Sequence, residues 1–540
     1  MISVTGLEAV SADTGKRNSA AEDKTFLRVS VVQGFDFDRR LACPGIVETA
    51  YNHGMKPSPI SRLLSLLMIV TIIAPQSWAT CGGGGGGGVG GMGGGSSTPE
   101  QTYQVPWKLL KAGEAIKEGL VVYWFPSSDE EVQKSSLRNS RFLSQYASQC
   151  VTMSIVDARL PIGQKLAAGE KLPVAVVATP DGTPISKVQN KDGKLKVDQV
   201  EKALETEMKR REDATEEKLK SAKDRAKSGD NQSAIGLYRA VLDQKCMFPK
   251  KAKDAAKELK KLGVNEGAEL IDAPIFEPVM EKTASARIER TMQRGLAAEM
   301  SDHYVEAVSL YTAAHNLDPS DPVPLRYLGE VYRHHTGQWE KARENFEAIL
   351  KMPADPLSRA VALHGLGKMT IHEGDFKKGL GLMEQSVAVY PIALAYRNLA
   401  VYWNSEGDQA KAGQYTKEAL ALDPTDPFNL VFAAAFMAGA GHGDEALKIA
   451  KKNEALMPAS YNLAAVYAQL GQKEKAIALL KRHFFEYERY KSVRAKEMME
   501  ARVDAVFASI SRDPQFVALT SGADGRLPIP AMPGMRPAGN

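Results

Sequence analysis

The chain has 540 residues, and its 69 Lys and Arg against 65 Asp and Glu give a formal net charge of +4 at pH 7. This length exceeds one ordinary hydrophobic core, so several domains are expected. The small net charge gives no support for nucleic-acid binding, and we expect none. Four cysteines in so long a chain exclude a disulfide scaffold.

The first predicted element is a secretory signal peptide at residues 55–79. Lys56 and Arg62 form its basic start, and residues 63–74 are apolar except for two hydroxyl side chains. Ser77-Trp78-Ala79 then places small residues at the −3 and −1 positions of a cleavage site. The apolar run is short for a membrane span. We therefore expect an exported protein, either periplasmic or secreted.

A signal peptide normally begins a protein, and this one begins at Met55. We interpret residues 1–54 as an overcalled translation start or a disordered leader. A genuine extended leader is the alternative, and N-terminal sequencing of the mature protein separates the two.

Residues 80–103 predict a glycine-rich linker. Gly82 to Gly95 is broken by only two other residues, so the segment cannot pack and serves as a tether. Cys81 allows a lipoprotein interpretation with an acylated thiol, although Thr80 departs from the small residue that this pattern requires. We favour ordinary cleavage after Ala79. Membrane attachment through Cys81 or an uncleaved signal segment stays open.

The pattern of residues 104–207 predicts a small α/β domain. The segment 120–125 (LVVYWF) is apolar throughout, which is typical of a strand buried on both faces. A tight Pro180-Asp181-Gly182 turn joins the last two strands. The other predicted elements are a helix capped by Ser127-Ser128-Asp129, strands at 151–156, 172–178 and 185–188, and a helix from Val197.

This domain resembles the thioredoxin-like fold at residues 121–125, at Leu172-Pro173-Val174 and at the 180–182 turn. The resemblance implies a cis proline at Pro173, facing the active site of the family. Where the family has its Cys-x-x-Cys motif, this chain has Phe125-Pro126-Ser127-Ser128-Asp129-Glu130. Disulfide exchange requires a thiolate, so we expect a redox-inert domain that serves packing or binding.

The cysteines are widely separated in sequence. Cys43 lies in the predicted leader, which leaves Cys81, Cys150 and Cys246. No two are close enough for a zinc knuckle or a redox pair. An oxidising compartment would permit a bridge between Cys150 and Cys246, but we expect two buried free thiols.

Residues 208–283 predict a charged helical connector. From Val197 to Ser228 both signs of charge alternate, which is typical of a solvated helix with i,i+4 ion pairs. Gly229-Asp230 then leads into Ala234, Tyr238 and Val241, which predict one degenerate helical hairpin. A short basic helix and an irregular hinge complete the connector.

Five prolines follow at a nearly constant spacing. Pro319, Pro353, Pro391, Pro424 and Pro458 lie 34, 38, 33 and 34 residues apart. A period of about 34 residues is typical of a repeated helix–turn–helix unit. An unrelated helical bundle is the alternative, but it has no reason to repeat at fixed intervals.

Small residues recur at fixed offsets before these prolines. Ala307 and Ala314 flank Tyr311 in one unit, as Ala412 and Ala419 flank Thr416 in another. Small side chains let two helices approach, and the larger one fills the gap between them. At these residues the chain is similar to the tetratricopeptide repeat (TPR) family, in about six units. The predicted boundaries are an array at 284–486, capping helices at 487–520 and a disordered tail at 521–540.

The TPR resemblance implies an all-α solenoid whose concave surface binds a protein or peptide. First helices mainly line that surface, and Asn and Arg there can clamp a peptide backbone or carboxylate. Such residues are also ordinary helix surface. The exposed candidates are Arg326, Arg333, Tyr396, Arg397, Asn398, Asn404, Tyr461 and Asn462.

We expect no catalytic, metal or cofactor site. The adjacent His334 and His335 point about 100° apart on a helix and cannot bind one metal together. The chain has no phosphate-binding loop, nucleophile elbow or zinc-protease motif.

The leading hypothesis is a non-catalytic adaptor of the bacterial cell envelope. A thioredoxin-like thiol–disulfide enzyme that uses its repeats for substrate choice is the second hypothesis. A passive structural component of the envelope is the third.

Overall fold

The computed structural model describes most of the chain beyond the glycine-rich segment. The predictions for the leader, the signal peptide, Cys81, Pro458 and the tail lie outside the described residues. Within those residues, no helix combines the length and apolarity that a bilayer span requires. The described ranges are 102–111, 113–114, 116, 119–422, 424–457, 460–487 and 491–521.

The first part of the described chain is an α/β domain with a five-stranded mixed sheet. The strand order is β1-β3-β2-β4-β5, with β3 parallel to β1 and β2, and with β4 antiparallel to β2 and β5. The predicted α/β domain is thereby confirmed, and β1 adds an edge strand. The elements are β1 (Lys108–Leu109), β2 (Leu120–Phe125), α1 (Asp129–Lys134), α2 (Arg141–Ala147), β3 (Val151–Ile155), α3 (Pro161–Leu166), β4 (Val174–Ala178) and β5 (Pro184–Gln189).

Four helices follow the sheet: α4 (Val197–Lys227), α5 (Asn231–Leu242), α6 (Pro249–Lys261) and α7 (Ala268–Ile271). The charged helix α4 is less solvated than we expected. Its sparse apolar residues recur about every four positions, so Val200 and Leu204 pack under the sheet, and Leu219 packs against Tyr238 of α5.

Strand β2 separates two cores because successive side chains of a strand point to opposite faces. Leu120, Val122 and Trp124 face α2 and the start of α4. The alternating residues Val121, Tyr123 and Phe125 face α3. The Leu172–Pro173 peptide bond, just before β4, is cis, which is the geometry that the thioredoxin resemblance implied.

A disulfide joins the two cysteines that lie within the described residues. Cys150 precedes β3 and Cys246 follows α5, with Cα atoms 5.8 Å apart. The expectation of two buried free thiols is therefore wrong, and Cys246 is also exposed. The residues are 96 positions apart in sequence, and tertiary packing brings them together, because α5 packs against α4 and α4 packs against the sheet.

The helical array begins at α8, and its helices pair as antiparallel hairpins. Pro319, Pro353, Pro391 and Pro424 all lie in connections between hairpins, which confirms the interpretation of the proline period. The helices are α8 (Lys282–Met300), α9 (Tyr304–Leu317), α10 (Pro322–Glu330), α11 (Trp339–Lys351), α12 (Pro356–His372), α13 (Phe376–Val389), α14 (Ala393–Ser405), α15 (Gln409–Leu422), α16 (Pro427–Gly439), α17 (Gly443–Asn453), α18 (Tyr461–Gln469) and α19 (Lys473–Arg482).

Glycine and alanine set the close approach of helices within the array. Gly329 of α10 and Gly365 of α12 both face the ring of Phe346, and a Cβ at either position would overlap that ring. Gly295 faces the ring of Tyr311 in the same way. These glycines therefore serve as sockets for aromatic side chains of the neighbouring helix.

The chain closes with α20 (Lys491–Val503), a 3₁₀ turn (Ala505–Ile510) and α21 (Pro514–Thr520). Phe507, Ile510, Phe516 and Leu519 seal the apolar side of the last hairpin, as predicted for a terminal unit. Val503 does not take part in this seal, since it is 69% exposed.

Candidate functional site

The candidate site is the row of polar side chains on the first helices of the hairpins. We call this row the inner surface and define it by Arg326, Glu330, Arg333, His364, Lys368, His372, Arg397 and Asn398. Arg326, His364 and Arg397 each lie 27 residues before the proline of their unit, at 353, 391 and 424. The repeat thus places a hydrogen-bonding side chain at the same position of three successive hairpins.

Most of the candidates from the sequence are buried. Tyr396 and Asn404 are partly buried. The expectation of exposed side chains is wrong for the other six, because other parts of this chain cover them. These six are Arg326, Arg333, Arg397, Asn398, Tyr461 and Asn462.

Neighbouring first helices are joined by hydrogen bonds across the inner surface. Asn398 Nδ2 and His364 Nε2 are 2.8 Å apart, which links α14 to α12. Arg397 Nη1 donates to Asn429 Oδ1 at 2.5 Å, which links α14 to α16. Arg397 and Asn398 therefore hold the array together.

The amino-terminal end of the inner surface is covered by residues 102–105. Arg326 Nη2 donates to the carbonyl oxygen of Thr102 at 3.1 Å. The Tyr103 hydroxyl donates to Asp321 at 2.7 Å, and its ring belongs to the core of the array. A backbone carbonyl oxygen thus accepts a hydrogen bond from a guanidinium group that we expected to face a partner.

Next to this segment, Arg141 of α2 joins the α/β domain to the array. Its guanidinium is fully buried and forms ion pairs with Asp318 and Asp321. It also donates to the Val279 carbonyl at 2.8 Å and to Ser285 Oγ at 3.0 Å. All three guanidinium nitrogens have acceptors, as a buried charge requires.

The middle of the inner surface carries a buried cluster of charged and imidazole groups. Arg333 Nη2 donates to Glu330 Oε2 at 2.9 Å, and His334 Nε2 lies 3.2 Å from the same oxygen. Burial opposes ionisation of Glu330, but Arg333 and His334 outweigh it and lower the pKa of that carboxyl. Burial lowers the pKa of His334 to about 4 and that of His364 to about 3, so both rings are neutral at pH 7.

Two acidic side chains of helix α20 face groups of the repeat array. Glu500 Oε1 lies 2.5 Å from His372 Nε2 of α12, and Glu497 Oε2 lies 3.1 Å from His483 Nε2. Burial alone would raise the Glu500 pKa, but Lys368, His372 and Arg333 lower it to about 2. Glu500 is therefore an ionised carboxylate held against the cations of the inner surface.

Sequence reasoning did not identify Glu330, His364, Lys368, His372, Glu497 or Glu500 as site residues. The repeat register contained a signal for His364, because it stands where Arg326 and Arg397 stand in their units. No comparable signal existed for Glu497 and Glu500, which lie outside the repeats. Among the described residues, no group of three or more His, Cys, Asp or Glu could hold a metal ion.

Residues 373–427, from the turn before α13 to the start of α16, match the tetratricopeptide repeat family model. Together with the paired helices and the proline period, this match shows that the array is a TPR-like solenoid. Proteins with such repeats mediate protein–protein interaction.

Two curated relatives match parts of the chain. It is 30% identical over 105 residues to the photosystem I assembly protein Ycf3 of Rippkaea orientalis, which covers 17% of this chain and 61% of the relative. It is 25% identical over 231 residues to the protein CTR9 homolog of Arabidopsis thaliana, which covers 33% of this chain and 21% of the relative. The chain thus spans less than two thirds of either relative.

Solved structures of repeat proteins also align with part of the chain. A thermophilic TPR protein of Thermus thermophilus is 21% identical, with a TM-score of 0.28, over 35% of this chain and 98% of its own. PilF of Pseudomonas aeruginosa is 17% identical, with a TM-score of 0.28, over 40% of this chain and 99% of its own.

Proposed function

We propose that this protein is a non-catalytic adaptor of the bacterial cell envelope that binds a protein or peptide partner on the inner surface of its repeat array. The observation that carries the proposal is the TPR-like array itself, with polar side chains repeated at one position of successive first helices. The Ycf3 relative, which is named as an assembly protein, is consistent with a role in bringing proteins together.

We also propose that the α/β domain is thioredoxin-like and redox-inert. The strand order β1-β3-β2-β4-β5, with β4 antiparallel to β2, supports the fold assignment. At the position of the family's dithiol, two serines act as hydrogen-bonding groups at the start of α1. Ser128 Oγ accepts from the Glu131 backbone N–H at 3.2 Å, and Ser127 Oγ donates to the Glu131 carboxylate at 2.9 Å. These hydroxyls support α1 and supply no thiolate for disulfide exchange.

Export to the periplasm or beyond the cell is the proposed localisation. The signal-peptide pattern at residues 55–79 supports it. The Cys150–Cys246 disulfide gives independent support, because such bonds persist mainly in oxidising compartments. Attachment to a membrane through Cys81 or an uncleaved signal segment is compatible with this proposal.

A thiol–disulfide enzyme is the second candidate function, and the exposed position of Cys246 favours it. Insulin reduction by the full chain, compared with a Cys150→Ser/Cys246→Ser variant, tests this candidate. We expect no turnover by either protein. Turnover by the wild type that is lost in the variant would replace the adaptor proposal with an enzymatic one.

The adaptor proposal is tested by site-specific photo-crosslinking of the full chain in its native cell. A photoreactive residue at Asn404, on the first helix α14, is compared with one at Lys377, an exposed position on the second helix α13. We expect a defined partner to crosslink from position 404 and not from position 377. The same set of products from both positions, or no product from position 404, would contradict the proposal and favour a passive structural component.

A further inference from the structure

Helix α20 presents two carboxylates, one helical turn apart, to groups that lie far away in sequence. Glu500 pairs with His372, and Glu497 pairs with His483. Both side chains are on the same face of α20, because residues at i and i+3 are neighbours on a helix. Met498 and Ala501 are fully buried in the terminal core, so the helix is held by apolar contacts as well.

The polar groups around these carboxylates are buried but incompletely bonded. Lys368 is 4% exposed, and against the effect of burial its charge lowers the pKa of Glu500. Arg333 Nε, Glu330 Oε1 and Glu497 Oε1 are buried without a hydrogen-bond partner in the described chain. A buried polar atom left unbonded destabilises the contact that buries it. Helix α20 therefore brings negative charge to the inner surface and leaves Arg333 Nε without an acceptor.

We propose that Arg333, Lys368, His372 and His483 form a carboxylate-binding site that α20 occupies in the isolated chain, and that the protein partner presents a helix with two carboxylates one turn apart in its place. This inference rests on the proposed adaptor function, and it names the chemistry of the partner. Helix α20 acts as a resident competitor on the inner surface.

The geometry specifies the partner in two ways. Lys368 and His372 lie on α12, and His483 follows α19, so the two carboxylates of the partner must reach groups from different hairpins. An α-helix laid along a groove presents anchors at i and i+3 or i+4 in this way. The partner must also displace α20, so its apparent affinity is reduced by the fraction of molecules in which α20 is docked.

A peptide of residues 491–510 of this chain, labelled with a fluorophore, is the probe for this site. Its binding to the full chain is measured by fluorescence anisotropy, for the wild type and for a Glu497→Gln/Glu500→Gln variant whose own helix lacks both carboxylates. We expect the variant to bind the peptide at least tenfold more tightly than the wild type. Adding Lys368→Met to that variant should remove the gain. A matched peptide with glutamine at positions 497 and 500 should bind at least tenfold more weakly.

Hydrogen exchange of the same proteins shows whether the helix has moved. Exchange in residues 491–503 should rise in the Glu497→Gln/Glu500→Gln variant, while exchange in α13 stays at the wild-type rate and shows that the array is folded. Equal binding of the acidic and glutamine peptides, no gain in affinity in the variant, or unchanged exchange in 491–503 would each overturn the inference.

These outcomes are separable from those of the adaptor proposal. A partner that crosslinks at position 404 and binds the Lys368→Met protein as tightly as the wild type would leave the adaptor function in place. The same result would contradict the proposed carboxylate-binding site. If no partner crosslinks and the peptide results are as expected, the adaptor function is contradicted and the carboxylate-binding site is supported.

Discussion

The array contacts other parts of its own chain in two places, and the two contacts differ in how completely their charges are bonded. At the amino-terminal end, Arg141 enters a fully buried site where Asp318, Asp321, a serine and a carbonyl accept hydrogen bonds from all of its guanidinium nitrogens. At the second contact, Glu497 and Glu500 of α20 approach a surface that still holds unbonded polar atoms.

This difference indicates which contact is permanent. A buried charge network stabilises a fold only when every member is bonded, and a complete network is costly to open because it exposes several buried charges at once. The Arg141 network meets that condition, so we regard the α/β domain as a fixed part of the array. The α20 contact does not meet that condition, so we expect an outside group to compete at this contact.

The Arg141→Met variant tests the permanent contact and should show the largest effect. The substitution leaves Asp318 and Asp321 buried without their cation, so we expect the free energy of unfolding to fall by about 3–5 kcal/mol. Urea unfolding measures this loss. Arg159→Met is the matched control in the same domain, since Arg159 pairs with Asp157 on the surface and is 90% exposed. A similar result for the two variants would contradict the distinction between the contacts.

The disulfide links the α/β domain to the segment that follows α5. Cys150→Ser should lower the free energy of unfolding by about 2–4 kcal/mol, because the bond closes a separation of 96 residues and restricts the unfolded chain. Chemical unfolding in the presence and absence of a reducing agent measures the effect. The wild type under reducing conditions should match the variant. A wild type that is insensitive to the reductant would show that the bond does not form.

A change inside the array gives a reference that involves neither contact. Gly365→Ala should destabilise the protein by about 1–3 kcal/mol, because the added methyl group overlaps the Phe346 ring. Gly381→Ala is the control. Gly381 lies in the helix α13 and has open space around it, so alanine should stabilise by about 0.5–1 kcal/mol. Thermal or urea unfolding of both variants measures the pair, and a loss at both positions would argue against the packing described here.

The smallest expected effect concerns the closing segment after α20 and the dependence of its stability on pH. Burial raises the pKa of Asp504 to about 6, although Val506 N–H and the Tyr461 hydroxyl favour its charged form. A pKa that folding raises gives stability at low pH, and this stability is lost as the pH rises through 6. The closing segment should therefore be held more firmly at pH 5 than at pH 7.

Asp504→Asn tests this expectation, because the amide is neutral at both pH values. We expect it to stabilise residues 505–510 by about 1–2 kcal/mol more at pH 7 than at pH 5. Hydrogen exchange of this segment, corrected for the intrinsic pH dependence of exchange, measures the difference. Glu500 stays ionised over this range, so it does not contribute to the change. An equal effect of the substitution at both pH values would assign the stability change to packing.

Much of the fold could be predicted from local pattern. The all-apolar run of β2 and the Pro-Asp-Gly turn predicted the sheet, and the proline period predicted the hairpins, because each signal is contained within a few neighbouring residues. The inner surface was harder. The sequence identified Arg326, Arg397 and Asn398 as polar residues on first helices, but their exposure depends on Thr102, Asn429 and His364, which lie in other elements.

The sequence by itself determined the hairpin repeat, since helix geometry turns spacing along the chain directly into contact. Only the tertiary structure decided that Cys150 meets Cys246 and that Glu500 meets His372. Those pairs form by closing long stretches of chain, and their proximity depends on how every hairpin between them stacks. Each hairpin is rotated slightly relative to the one before it, and spacing in the sequence does not show how these rotations add up.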